Sequence, residues 1–192
     1  IHTQSLPKAY REICIKLEEE GEWGLKESYA AGKKFDKIKE CESRVAIENL
    51  LQEPMISGAL PLPTIKNFID YIKDILFGTK DYLVSRGIYD YTYSDRLFRR
   101  PLGTGGQLVY VIKKLGESEG HTNRAQMTTW IPEIDSRISA PPCLQRIWFK
   151  IEEDELHMET DWRSRDLYGA WYENVIGMLG IGLLVRESLK DY

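Results

Sequence analysis

Leu144-Gln145-Arg146-Ile147-Trp148-Phe149-Lys150-Ile151 and Leu156-His157-Met158-Glu159-Thr160-Asp161-Trp162 are two extended runs, rich in aliphatic and aromatic residues. Glu152, Glu153 and Asp154 lie between them and suit an exposed hairpin connection. This pair decides the fold class, because the clearest signals before it have helical spacing. Tyr10, Ile13, Cys14 and Leu17 recur at that spacing within residues 7–20, and Gly21 follows as a stop. Ile65, Phe68, Ile69, Ile72, Ile75 and Leu76 form one apolar stripe between Pro63 and Gly78. Leu108, Val109, Ile112 and Leu115 mark a third helix over 107–115. Short strands are predicted at Arg44–Ile47 and Gln126–Trp130, and loops at Pro54–Pro63, Pro101–Gly106 and Pro132–Pro142. Residues 22–44 are polar and mixed, with weak signals. The last segment, 168–189, reads as a mostly buried helix whose Gly177, Gly180 and Gly182 permit close packing. The expectation is an α+β chain with a largely antiparallel sheet packed against helices.

The chain has 192 residues, 42% of them hydrophobic, which suits one domain over 1–192 with a real core. Its net charge of −4 lacks the clustered basic excess of a nucleic-acid binder. An anionic ligand must therefore be drawn in by local arginines. No apolar run approaches the roughly 20 residues of a membrane span, and Ile1–Lys8 carries no secretory signal. Cys14, Cys41 and Cys143 are too few and too irregular for a disulfide framework or a zinc site, which points to a reducing, cytosolic compartment. His2, His121 and His157 lack metal-ligand spacing.

Three features could carry chemistry. Cys143 sits in Ala140-Pro141-Pro142-Cys143-Leu144-Gln145, where a proline-rich loop enters the first extended run. A reactive thiolate needs positive charge or donors close by. Trp162-Arg163-Ser164-Arg165-Asp166 ends the second run, and a hairpin would return Arg163 or Arg165 to the neighbourhood of Cys143. The alternative is a buried small hydrophobe beside a solvated strand end. Gly103-Thr104-Gly105-Gly106 lacks the Lys-Ser/Thr of a phosphate loop and reads as a turn with a capping Thr104.

Taken together, Thr122 to Trp130, Pro141 to Gln145, Trp162 to Asp166 and Asn174 resemble, in order and spacing, the thymidylate synthase family in its short archaeal and phage-like variant. Tyr91-Thr92-Tyr93-Ser94-Asp95-Arg96-Leu97 resembles the family's Tyr-Gly segment. The resemblance spans roughly residues 89–180. It implies that Cys143 adds to C6 of a pyrimidine. It further implies that Arg163 and Ser164 hold the nucleotide phosphate and that Gln145 belongs to the substrate site. Arg124 would serve the partner subunit's phosphate site in a homodimer. Asp166 would contact the pyrimidine and order the folate, Tyr93 would assist loss of the C5 proton, and Asn174 would read O4 and N3 of uracil. The implied substrate is dUMP, and the implied one-carbon donor and reductant is 5,10-methylenetetrahydrofolate or a related reduced pterin.

The chain departs from the family in several places. Asn123-Arg124 stands where the family has paired arginines, and Leu144 where many members have His. The family's catalytic glutamate belongs on the 64–77 helix, where the acidic residues are Asp70 and Asp74. The N-terminal arginine loop and the C-terminal His-x-Tyr are not found, so a domain shortened at both ends is expected. Two alternatives stand beside the methylase: a pyrimidine nucleotide 5-hydroxymethylase, and a catalytically weak nucleotide-binding homologue. No stable nucleic-acid complex and no membrane association are expected.

Overall fold

The structure, a computed structural model, describes residues 1–28, 33–56, 64–99, 106–190 and 192. The chain divides into two compact units, Ile1–Leu62 and Pro63–Tyr192. The predicted loop from residue 57 to Pro63, and the turn over Pro101–Gly105 with Thr104, lie outside the described residues.

In the first unit, β1 (His2–Thr3) leads into α1 (Leu6–Glu20). Pro7 sits in the first turn of α1, where its missing N–H leaves no bond unmade. Leu6, Ala9, Tyr10 and Ile13 are buried at helical spacing. β2 (Glu22–Glu27) and β3 (Phe35–Glu40) form an antiparallel hairpin in the stretch without a clear sequence signal. Trp23, Leu25, Phe35 and Ile38 are all exposed there, so no buried face imposes an alternation on the sequence. β4 (Ala46–Ile47) pairs in parallel with β1.

The second unit opens with α2 (Ile65–Phe77). Thr64 and Asn67 cap it reciprocally, with Asn67 N–H donating to Thr64 Oγ1 at 3.3 Å and Thr64 N–H to Asn67 Oδ1 at 3.2 Å. Gly78 ends it in the left-handed region, at φ 64°. A short α3 (Asp81–Ser85) and a π-helical turn, Asp95–Arg99, precede α4 (Gly106–Glu117). β5 (Gln126–Thr128) follows and stops two residues short of Trp130. The expected loop at 132–142 begins with one helical turn, α5 (Pro132–Asp135). The Asp135 carboxylate accepts the Ile131 N–H at 2.6 Å and closes this turn, which is too short to show a period.

β6 (Leu144–Glu152) and β7 (Glu155–Trp162) are the expected hairpin. Glu153 and Asp154 form its two-residue turn with φ of 51° and 63°, the pair of positive angles that a type I′ turn needs. The sheet order is β5-β6-β7, all antiparallel. Leu144, Ile147 and Phe149 point inward and are fully buried with Leu97, Val111, Leu115 and Met127. α6 (Trp171–Leu189) adds Met178, Ile181 and Val185 to the same core. Gly177 lets α2 and α6 approach closely: a Cβ there would fall 2.6 Å from Ile75 Cδ1 and 2.7 Å from Tyr71 Cε1.

A buried polar network ties these elements together. Arg96 forms a two-pronged ion pair with Asp135, at 2.8 and 3.2 Å. Gln107 donates to Arg96 O at 2.8 Å and to Thr128 O at 2.7 Å, and accepts the Thr128 N–H at 2.8 Å. The two charges buried in this network, Arg96 and Asp135, pair with each other, which offsets the cost of taking them out of water.

Candidate active site

Cys143 is the residue before β6, half-buried behind the Pro141-Pro142 turn. The hairpin carries Arg163 back to it. Arg163 N–H donates to Cys143 O at 2.9 Å, its Nε to Pro142 O at 3.1 Å and its Nη2 to Pro141 O at 2.7 Å. The sequence left Arg163 and Arg165 open as neighbours of Cys143, and the structure sets Arg163 on that loop. Its side chain braces the loop, and the residue is exposed. Gln145 Nε2 donates to the same Pro142 carbonyl at 2.7 Å. The ladder shifts register between Leu144 and Arg146, so Gln145 is the extra residue of a bulge two positions beyond Cys143.

Arg165 takes a different place. Its guanidinium stacks against Trp162 at 4.4 Å and Trp171 at 5.0 Å, and Nη2 donates to Trp171 O at 3.0 Å. This sandwich holds the segment that presents Arg163, Ser164 and Asp166. Burial lowers Arg165 to about 10, an effect partly opposed by the Tyr71 and Tyr93 phenols. Ser164 and Asp166 are exposed. Asp166 Oδ1 accepts N–H groups from Tyr168 at 3.1 Å and Gly169 at 2.9 Å at the entrance to α6.

Tyr93 reaches the cysteine loop from the other side. Its hydroxyl accepts the Leu144 N–H at 3.3 Å, and its ring meets Trp162 edge-on at 6.0 Å. Tyr91 lies 5.7 Å from it, with Arg96 5.8 Å above the Tyr91 ring. Burial pushes both phenols above their usual value, and the neighbouring Cys143 raises them further. Asn174 is buried on α6 and donates Nδ2–H to Tyr71 Oη at 2.6 Å. Burial also pushes Tyr71 up, and Tyr93 adds to the effect.

Neither acidic residue expected on α2 is hydrogen-bonded within this cluster. Asp70 pairs with Lys66 at 2.5 Å, and Asp74 pairs with Lys80 and Thr79. The α2 side chain that does enter the cluster is Tyr71. Tyr71 was not singled out in the sequence, and Tyr91 entered only as part of the Tyr91–Leu97 segment without a role, since an aromatic residue at helical spacing or in a tyrosine-rich turn reads as packing. Glu173 was missed as well; it is half-buried, and burial raises its carboxyl while Lys80 opposes the rise.

Arg124 is not brought to Cys143 by its own chain. Gln126 pairs with Trp148, so Arg124 lies near the far end of β6, roughly 20 Å along the strand from Cys143 at about 3.4 Å per residue. It is exposed, and its side chain makes no ion pair or hydrogen bond among the described residues. The described residues also hold no cluster of three potential metal ligands, and no helix among them is long and apolar enough to cross a membrane.

This combination of hairpin, cysteine loop and buried C-terminal helix is a thymidylate-synthase-like fold. The thermostable thymidylate synthase A of Bacillus subtilis superposes with a TM-score of 0.57 over 94% of this chain and 72% of that one, at 16% identity. In sequence, the chain is 40% identical over 101 residues to the "Putative thymidylate synthase" of Methanosarcina mazei, covering 53% of this chain and 46% of that protein. The protein of the same name from Methanocaldococcus jannaschii is 32% identical over 127 residues, covering 62% and 54%. The chain thus spans about half the length of the curated relatives it matches. No protein-family model matches it.

Proposed function

We propose that this chain is a methyltransferase acting on dUMP to form dTMP, with Cys143 as the nucleophile. The observation that carries the reading is the return of Arg163 onto the Cys143 loop, where its backbone N–H meets Cys143 O at 2.9 Å. A guanidinium held there can pair with a phosphate dianion.

In this reading the Cys143 thiolate forms a bond to C6 of uracil, and the C5–C6 π pair moves toward C5 and O4. Asn174 donates to O4, where negative charge develops, and accepts from N3–H. Arg163 and Ser164 bind the phosphate, and Gln145 steadies the Pro142 carbonyl against which Arg163 is set. Tyr93, whose hydroxyl accepts the Leu144 N–H, assists loss of the C5 proton in this reading. Asp166 suits a reduced pterin, 5,10-methylenetetrahydrofolate or a relative: Oδ1 is held by two backbone N–H groups, whereas Oδ2 accepts no hydrogen bond among the described residues. When bound, such a pterin supplies the one-carbon unit and the hydride. The exposure of Arg124 and its distance from Cys143 in its own chain support a homodimer in which Arg124 completes the partner's phosphate site.

The test uses 5-fluoro-dUMP with methylenetetrahydrofolate, read by intact mass. A stable covalent complex on the wild-type chain that Cys143→Ala fails to form is the expected result. No adduct on the wild type, together with no dihydrofolate formed from dUMP, overturns the reading. A 5-hydroxymethyl product without dihydrofolate would instead assign the hydroxymethylase.

A further inference from the structure

β2 carries a glycine that the packing of the single chain does not explain. Gly24 lies in the middle of Glu22-Trp23-Gly24-Leu25-Lys26-Glu27, is not among the glycines with positive φ, and a Cβ built on it would meet nothing within 4 Å. Glycine weakens a strand interior and often marks a place where another backbone comes close. Among the described residues β2 pairs with β3 alone, so its other edge is open. A two-stranded hairpin is marginal in water, and an open edge is a template for a further strand.

The phase of the hydrogen bonds tells which groups that edge offers. Ser28 N–H donates to Lys34 O at 3.1 Å, so the backbone groups of Ser28 face β3. The register runs without a shift from Glu27 opposite Phe35 to Glu22 opposite Glu40. Alternation then turns the groups of Lys26, Gly24 and Glu22 toward β3, and those of Trp23, Leu25 and Glu27 outward. A second β2, laid antiparallel about a two-fold axis at Gly24, sets Trp23 opposite the partner's Leu25. Each such pair exchanges both of its outward backbone bonds. On the axis the two Gly24 residues form a non-hydrogen-bonded pair, with Cα atoms roughly 4.5 Å apart.

The side chains fit this register. Trp23 and Leu25 stand on one face, 63% and 70% exposed, and the axis brings two of each together. On the other face Glu22 lies opposite Glu40, a like-charge pair, and Lys26 reaches Glu40 at 2.8 Å. The axis sets the partner's Lys26 opposite Glu22. The neighbouring registers in phase fit worse. An axis at Leu25 sets Trp23 against Glu27 and Gly24 against Lys26. An axis at Trp23 calls on Gly21, whose N–H already donates to Leu17 O at 3.0 Å.

We infer that the outer edge of β2 is a self-association surface: two copies of this chain pair their β2 strands antiparallel about Gly24 and form a continuous β3-β2-β2-β3 sheet. The contact lies wholly in the first unit and is independent of the Cys143 chemistry and of Arg124.

The test is oxidative cross-linking of the 192-residue chain, read by non-reducing gel and intact mass, with thermal unfolding of every variant. Gly24→Cys puts a thiol on the axis. Lys26→Cys puts one about 14 Å from its symmetry mate, four residues along the strand at about 3.4 Å each. Gly24→Cys is expected to give at least tenfold more covalent dimer than Lys26→Cys or the wild type, which supplies the background of Cys14, Cys41 and Cys143. Adding Leu25→Pro removes an outward N–H and none that β3 uses, so it should return the yield to that background. Equal yields from Gly24→Cys and Lys26→Cys report chance collisions and overturn the inference. A Gly24→Cys yield no higher than wild type, or one that survives Leu25→Pro, overturns it as well. Should Gly24→Cys fail to fold, sedimentation of the wild type and Leu25→Pro decides. Self-association at least tenfold weaker in the proline variant supports the inference, and unchanged association overturns it. Failure here leaves the proposed function standing, and an inactive chain leaves this contact standing.

Discussion

The backbone N–H of Arg163 donates to the carbonyl of Cys143 at 2.9 Å, while the Arg163 side chain donates to Pro141 and Pro142 at 2.7 and 3.1 Å. Three bonds from one residue hold the loop that carries the proposed nucleophile. A lysine cannot repeat this, because an ammonium lacks the planar fork that reaches two carbonyls and still presents further N–H groups. Arg163→Lys is therefore expected to weaken dUMP binding about 10- to 100-fold, from charge-assisted hydrogen bonds of about 1.5–3 kcal/mol. Calorimetry at two salt concentrations checks this, and unchanged affinity would remove Arg163 from the phosphate site.

The Arg96–Asp135 pair is 2% and 0% exposed. Removing one partner leaves a buried charge without its counterion, so Arg96→Ala is expected to cost about 3–5 kcal/mol of stability. An Arg96→Met, Asp135→Leu double variant removes both charges and should recover much of that loss. Urea unfolding of the three proteins measures it.

Tyr71, Tyr91 and Tyr93 all have phenols raised above the ordinary value of 10.0, chiefly by burial. Above that value the unfolded chain releases phenol protons that the folded chain retains. The stability they contribute is full below pH 10 and is lost as pH rises beyond it. Arg165, lowered to about 10, acts in the opposite direction, because its buried charge is relieved as pH rises. Three phenols outweigh one guanidinium, so urea midpoints should fall between pH 9 and pH 11, about one unit either side of the ordinary phenol value. Tyr91→Phe should make that fall shallower.

If Arg124 completes the partner's site, Arg124→Ala and Cys143→Ala each inactivate in a different way. Mixing the two after partial unfolding and refolding should restore activity that neither shows alone. Hybrid dimers then contain one site with both residues intact. Mixed material that stays as inactive as its components would place Arg124 outside the partner's site.

The sequence showed most of the second unit directly. The α2 stripe, the β6–β7 hairpin with its Glu153-Asp154 turn, and the α6 glycines are written in local period and turn chemistry, which the chain carries residue by residue. The β2–β3 hairpin was not legible, because neither of its faces is buried enough to impose alternation. The single turns at α3 and α5 were too short to have a period.

Within the candidate site, the order and spacing of Cys143, Arg163, Ser164, Asp166 and Asn174 marked a family pattern before any coordinates. Only the tertiary structure decided what each side chain meets. It set Arg163 on the Pro141-Pro142 carbonyls and Arg165 between Trp162 and Trp171, although one residue separates them. It engaged Asp70 and Asp74 with lysines and brought Tyr71 to Asn174, 103 positions away in sequence. Local sequence determines period, turns and caps because those depend on neighbours along the chain. Partners across α2 and α6 depend on where two separate helices cross, and Gly177 shows where this pair does.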